Sequence, residues 1–256
     1  MKKGILLIIA ALMALACCER TTSVEIIPIQ DNVNPRLMPR ALFAEAPDSL
    51  FEALGLQDGI PSSVCAFLAK TDGKNILFDA ANGAPDSRLI PVLDSCGVAP
   101  DAVDYIFITH LHGDHIGGLM KEGAASFPKA ELYINKVEYD AWMAMGEEQS
   151  VSLKAISQAY EDRLKTFALT DELPCGVEAI EAYGHTPGHT VYKIGNALIV
   201  GDIMHGVALQ LEHPQYCARF DADHEQSVIT RKSIIKMGQE NGLTLYGMHF
   251  PAPYHL

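Results

Sequence analysis

Residues 110–115 carry three histidines and an aspartate, His110, His112, Asp114 and His115, in the run Thr109-His110-Leu111-His112-Gly113-Asp114-His115. Imidazole nitrogens and carboxylate oxygens are ligands of zinc-class dications. A lone histidine in a polar run is ordinarily just solvated, but packing does not account for four such side chains in one short stretch. In a tight loop neighbouring side chains diverge, so His110 and His112 can face one ion while Asp114 and His115 turn toward another. A second segment, Gly184-His185-Thr186-Pro187-Gly188-His189-Thr190, has the glycines and proline of a rigid turn that aims an imidazole. His189 reads as the ligand there and His185 as a supporting residue, since ligands need hydrogen-bonding partners of their own. Asp202 follows Gly201 at the end of an apolar run, and His249 follows the last such run. A strand-end aspartate is often only a turn former, but in this company its two oxygens can bridge dications about 3.5–4 Å apart. His205, shortly after Asp202, is expected to line the pocket and touch substrate, while His213, His224 and His255 are expected to be dispensable.

Strand ends are needed to hold these groups. Residues 105–108, Tyr-Ile-Phe-Ile, read as a buried strand that delivers the chain into His110. Residues 24–29 read as a first strand, and 64–69 with 76–79 as a hairpin turning at Asp72-Gly73. Between them, residues 31–60 are rich in Pro, Asn, Asp and Gly without periodicity, which suggests a long loop. Its Leu37, Met38, Leu42, Phe43, Leu50 and Phe51 either line a pocket or pack as satellite core. A short helix around 91–96 closes at Gly97. The second half repeats the theme with a strand at 132–135, helices at 137–145 and 153–164, and strands at 177–182, 190–194 and 197–200. A helix over 225–241 and a final strand at 243–246 complete it. Two similar sets of strands and helices predict two packed sheets with helices outside.

The chain has 256 residues, 48% apolar and 20% charged, which suits a globular domain. A net charge of −13 leaves no basic stripe for a phosphate backbone, so the expected partner is a small molecule and not nucleic acid. Lys2 and Lys3 precede an apolar run over 4–16 that is too short for a stop-transfer helix and reads as a signal peptide over residues 1–16. Cys17 follows Ala14-Leu15-Ala16, so the segment also resembles a bacterial lipoprotein signal, with Cys17 lipidated, residues 17–23 a tether and the lipid the sole membrane contact. Plain secretion after Ala16 is the alternative. The remaining cysteines, Cys65, Cys96, Cys175 and Cys217, have no paired spacing, and Cys65 reads as a small buried hydrophobe.

Taken together, the His-x-His-x-Asp-His run, the later Gly-His, the Gly-Asp and the final His resemble the metallo-β-lactamase superfamily, over residues 24–249. The resemblance implies a domain over 24–256 of α/β (α+β) class, an αββα sandwich of two mixed β-sheets flanked by helices. It further implies two Zn2+ ions, the first held by His110, His112 and His189, the second by Asp114, His115 and His249, with Asp202 bridging. Phe78-Asp79 resembles the family's early strand-end aspartate, a supporting carboxylate, with its glycine companion displaced to Gly83. Gly201-Asp202-Ile203-Met204-His205, Phe220-Asp221-Ala222-Asp223 and Met248-His249-Phe250-Pro251 look most like the methyl parathion hydrolase-like branch and its lactonase relatives. Zinc β-lactamases generally lack the bridging aspartate, and the glyoxalase II branch carries an extra helical domain. The implied activity is hydrolysis of a lactone, aryl ester or phosphotriester by a metal-bridging hydroxide, with Asp114 as the catalytic residue that orients it or accepts its proton. A β-lactamase or thioester hydrolase of the same fold is the alternative, and a protein that kept the fold without activity would be expected to lack ligands.

Overall fold

The computed structural model describes residues 23–256, so the signal segment, Cys17 and nearly all of the tether lie outside the described residues. β1 (Glu25–Gln30) pairs antiparallel with β4 (Cys65–Thr71), and β4 with β5 (Lys74–Phe78) across the expected Asp72-Gly73 turn. Between β1 and β4 the chain is more ordered than its composition suggests. β2 (Arg36–Met38) pairs with β3 (Ile60–Ser62), and α1 (Asp48–Ala53) lies between them. Partners so far apart in sequence leave no local periodicity, which is why this stretch reads as a loop. Met38, Phe43, Phe51 and Ile60 form a small core of their own with Leu209 and Ala218. Packing therefore claims Phe43 and Phe51, while Leu37 stays exposed.

α2 (Leu89–Ser95), β6 (Tyr105–Ile108) and the one-turn α3 (Gly113–Ile116) follow, then the small hairpin β7 (Met120–Lys121) and β8 (Ala124–Ala125). β9 (Glu131–Asn135) leads into α4 (Lys136–Met143) and α5 (Glu147–Tyr160). The helix expected to run to residue 164 stops at Tyr160, and Leu164–Phe167 forms β10, parallel to β9. β10 is an edge strand with Phe167 as its one buried side chain, too weak a pattern to show in sequence. The second sheet takes β11 (Glu178–Glu181), β12 (Thr190–Ile194), β13 (Ala197–Gly201) and β14 (Thr244–Gly247), with α6 (Val207–Gln210) and α7 (His224–Asn241) between the last two.

The strand order is β1-β4-β5-β6-β9-β10 in one sheet and β11-β12-β13-β14 in the other. Alternation along the strands sorts the side chains into layers. Phe67, Phe78 and Phe107 of the larger sheet meet Tyr192, Ile194 and Ile199 of the smaller one. Their neighbours Leu68, Leu77 and Ile106 face α2 and α5, and Leu198 with Leu245 faces Ile234 of α7. This is the expected αββα sandwich. The C-terminal ends of β5, β6, β13 and β14 open on one edge of it, and the candidate ligands follow those ends.

Candidate metal centre

Asp79, just past β5, has φ +57 and aims its carboxylate under the first histidine loop. It accepts from Thr109 N at 2.8 Å and Thr109 Oγ1 at 2.9 Å, and its Oδ2 is 2.8 Å from His115 Nδ1. His112 stands at the N-terminus of α3, whose single turn carries Asp114 and His115. Gly201 closes β13 at φ +51, and a Cβ there would lie 2.6 Å from His189 Nε2 and 2.9 Å from Thr109 Oγ1. Only a glycine lets the chain turn Asp202 inward at this close approach.

The structure reassigns the second histidine loop. His185 Nε2 lies 3.2 Å from His110 Nε2 and 3.0 Å from His112 Nδ1, so His185 joins the cluster. His189, expected as the ligand, is fully buried and its Nε2 accepts from Asp202 N at 3.0 Å. That lone pair is occupied in holding the aspartate's backbone, so His189 supports the site and His185 faces it, the reverse of the expectation. A Gly-His-x-x-Gly-His turn offers either imidazole, and only the packing of the turn chooses between them.

Four side chains, His110, His112, His185 and Asp202, place ligand atoms within 4.8 Å of one another, and Asp114, His115 and His249 do the same beside them. Asp202 stands between the two groups. Its Oδ1 is 3.2 Å from His115 Nε2, and its Oδ2 is 3.2 Å from His249 Nε2, 3.5 Å from His185 Nε2 and 3.8 Å from His110 Nε2. The outward nitrogens are engaged elsewhere. His185 Nδ1 donates to Asp221 at 2.8 Å, His115 Nδ1 to Asp79, His249 Nδ1 to Ser63 O at 2.9 Å, and His110 Nδ1 faces Thr109 Oγ1 at 3.1 Å. A neutral imidazole that donates through Nδ1 presents a bare lone pair at Nε2. The inward Nε2 atoms of His110 and His185 therefore converge as acceptors 3.2 Å apart, and His115 Nε2 and Asp202 Oδ1 are buried without a hydrogen-bond partner. This donor set fits a pair of divalent cations.

The electrostatics agree for His110 and His112, while the carboxylates beside His115 hold a proton on it that a cation would displace. Burial, then the neighbouring imidazoles, push the His110 pKa well below its ordinary value, and burial with His185 beside it takes His112 to about 3. Both are neutral at pH 7, the form that ligates. Burial alone would raise the Asp202 pKa, but His249 and His115 outweigh it and hold the carboxyl well below the usual range. Burial likewise opposes protonation of His115, yet Asp202 and Asp79 raise its pKa well above the ordinary histidine range.

Three supporting groups escaped the sequence reading. Glu138 of α4 is buried, and its carboxylate accepts from Leu111 N at 3.0 Å, Trp142 Nε1 at 2.7 Å, Thr186 Oγ1 at 2.8 Å and Gly188 N at 2.8 Å. It ties the two histidine loops together. Asp221, which holds His185, is itself held by the buried Arg231 at 3.1 Å. Asp221 lies in a motif that carried the resemblance, whereas a glutamate on a helix such as Glu138 gives no signal in sequence. Above the cluster is a cavity of about 250 Å³ lined in part by Arg36, Met38, Asp114, His205 and Phe220. His205 lies where it was expected, its Nε2 3.3 Å from Asp202 Oδ2 and its Nδ1 without a partner among the described residues. His213, His224 and His255 are not among the clustered ligand atoms.

Residues 59–249 match the family model described as the metallo-beta-lactamase superfamily. An N-acyl homoserine lactonase from Bacillus sp is 27% identical over 177 residues, 63% of this chain and 62% of the relative. A hydroxyacylglutathione hydrolase from Shewanella denitrificans is 33% identical over 132 residues, 48% of this chain and 45% of the relative. A ribonuclease Z from Nanoarchaeum equitans is 32% identical over 108 residues, 42% of this chain and 28% of the relative. The chain thus spans between 28% and 62% of the length of these curated relatives. Among solved structures, hydrolase AbOPH of the beta lactamase superfamily superposes with a TM-score of 0.79 at 29% identity, covering 91% of this chain and 89% of that one. AidC, a dizinc quorum-quenching lactonase bound to its product, superposes with a TM-score of 0.81 at 23% identity and the same 91% and 89% coverage, a likeness of fold.

Proposed function

The chain belongs to the metallo-beta-lactamase superfamily, and from that premise we propose that it is a dinuclear zinc hydrolase of small ester-like molecules, with lactones foremost and aryl esters and phosphotriesters after them. The observation that carries the reading is the set of seven side chains, His110, His112, His185, Asp114, His115, His249 and the shared Asp202, four of which (His112, Asp114, Asp202 and His249) line one cavity. His185 takes the place first expected of His189. The lactonases among the relatives and structural neighbours support the substrate class.

Two divalent ions, when bound, supply a water of low pKa and polarise the carbonyl or phosphoryl oxygen. The chain's own residues do the rest. Asp114 lines the cavity as a carboxylate, its Oδ2 3.6 Å from His249 Nε2, and accepts the proton of the attacking water. His205, stacked at 5.2 Å on His249, offers an edge to the bound substrate, and Phe220 beside it supplies an apolar wall. The substrate is a small molecule and not a nucleic acid, in keeping with the charge of −13. Residues 1–16 carry the further proposal that the protein is exported, cleaved or lipidated at Cys17, which mass spectrometry of the mature N-terminus tests.

The test of function is metal analysis joined to a panel of lactones, aryl esters, phosphotriesters, a cephalosporin and S-lactoylglutathione. About two equivalents of zinc are expected, with a lactone, ester or phosphotriester favoured over the cephalosporin by at least roughly tenfold in kcat/KM, about 1.4 kcal/mol in the transition state. A cephalosporin or the thioester as best substrate would overturn the substrate class, and a metal-free protein the reading itself.

A further inference from the structure

One wall of the reaction cavity is made by a strand that supplies no ligand. β2 is pinned to β3 by the pairs Arg36↔Ser62 and Met38↔Ile60. Successive side chains on a strand point to opposite faces. Met38 points inward, 1% exposed, and Leu37 points out, 48% exposed. Arg36 therefore shares the inward face of Met38, and both side chains line the cavity over Asp202.

The guanidinium there is uncommitted. Arg40 pairs with Asp48 and Arg231 with Asp221, whereas Arg36 has no carboxylate within ion-pair distance among the described residues. A chain of net charge −13 repels anions on average, so an arginine lining the reaction cavity without a paired carboxylate supplies a local positive charge that an anionic group of a substrate can meet. A guanidinium matches a carboxylate through two parallel charge-assisted hydrogen bonds, whereas a neutral carbonyl accepts from it without the opposing charge. Phe220, 46% exposed and 5.6 Å from the His205 ring, gives the same cavity an apolar surface.

We propose that Arg36 is an anion-binding subsite and that the substrate is a small ester or lactone bearing a carboxylate remote from its scissile bond. The carboxylate meets Arg36, the apolar part of the molecule lies on Phe220, and the carbonyl faces the cluster around Asp202. Hydrolysis joins the oxygen of water to the carbonyl carbon, breaks the ester C–O bond and passes the proton to the leaving oxygen, leaving the remote carboxylate unchanged. The substrate class rests on the hydrolase reading above, but the subsite can be tested apart from it.

The test uses two aryl esters of one long-chain dicarboxylic acid, the second carboxyl free in one and methyl-capped in the other, with zinc-loaded protein. The wild type is expected to favour the free acid in kcat/KM by about tenfold or more, with the preference narrowing in about 0.5 M salt. Arg36→Gln is expected to cut kcat/KM for the free acid about tenfold more than for the capped ester, chiefly through KM, and Arg36→Lys to recover part of it. Equal losses on both esters would overturn the subsite. Calorimetric binding of the anilide of the same free acid, which is not turned over, separates the two readings. If no ester or lactone is hydrolysed but anilide binding still weakens about tenfold in Arg36→Gln, the hydrolase reading falls and the subsite stands. If binding is indifferent to Arg36, the subsite falls whatever the turnover.

Discussion

At the scale of single residues, the two histidines of one turn have different work. His185 Nε2 faces His110 and His112, while His189 Nε2 holds the backbone N–H of Asp202. His185→Ala is therefore expected to lose about one equivalent of metal and most turnover. His189→Ala should retain close to two equivalents but lose about 1–3 kcal/mol of stability, because it leaves the buried Asp202 N–H without its acceptor. Metal content by mass spectrometry and denaturant unfolding distinguish the two, and the opposite pattern would restore His189 as the ligand. Cys65 provides a second check. Burial pushes its thiol pKa up to about 12 and the residue is fully buried, so below pH 9 it stays a protonated, inaccessible thiol. Alkylation of the native protein at pH 8 should label the half-buried Cys96 and Cys175 and spare Cys65, as peptide mapping will show.

At the scale of elements, α4 contributes no ligand yet governs two ligand loops. The Oε1 atom of Glu138 accepts from Leu111 N and Trp142 Nε1, and Oε2 from Thr186 Oγ1 and Gly188 N. A glutamine cannot satisfy both pairs, since its amide nitrogen would meet two donors. Glu138→Gln is expected to cost about 2–4 kcal/mol, the penalty for two stranded buried donors, and to weaken zinc binding by the His110, His112 and His185 set. Unfolding and zinc titration measure the two effects; unchanged zinc affinity with lowered stability would reduce Glu138 to a structural role. The close of β13 is equally constrained. Gly201→Ala must fit a Cβ 2.6 Å from His189 Nε2 at a positive φ, so soluble yield and metal content should both fall sharply.

At the scale of the molecule, the centre joins the two sheets. The larger sheet supplies His110, His112, Asp114 and His115 through the end of β6, and the smaller supplies His185, Asp202 and His249 through loops beside β12, β13 and β14. Cations bound there would offset the convergence of lone pairs and carboxylates across that seam and so would stabilise the sandwich as a whole. Removing metal with a chelator is expected to lower Tm by several degrees, and two equivalents of zinc to restore it. Calorimetry with and without chelator checks this, and an unchanged Tm would mean the ions occupy a site the fold does not depend on.

Local patterns in the chain carry most of the fold and the types of side chain gathered at the centre. Strand periodicity is local, so β1, β4, β5, β6, β9 and β12 to β14 lie within a residue or two of where the apolar runs put them. The ligand chemistry is local too, because His110, His112, Asp114 and His115 stand within one short run that neither core packing nor a solvated surface calls for. What required tertiary structure was every choice that depends on a distant partner. β2 and β3 recognise each other across an intervening helix, so neither shows in a local window. His185 and His189 are chemically equivalent in the turn, and their roles are set by Asp221 on one side and the Asp202 backbone on the other. Glu138 and Arg36 look like solvated charges until the chain folds. One then lies among four donors, and the other faces the reaction cavity without a carboxylate beside it.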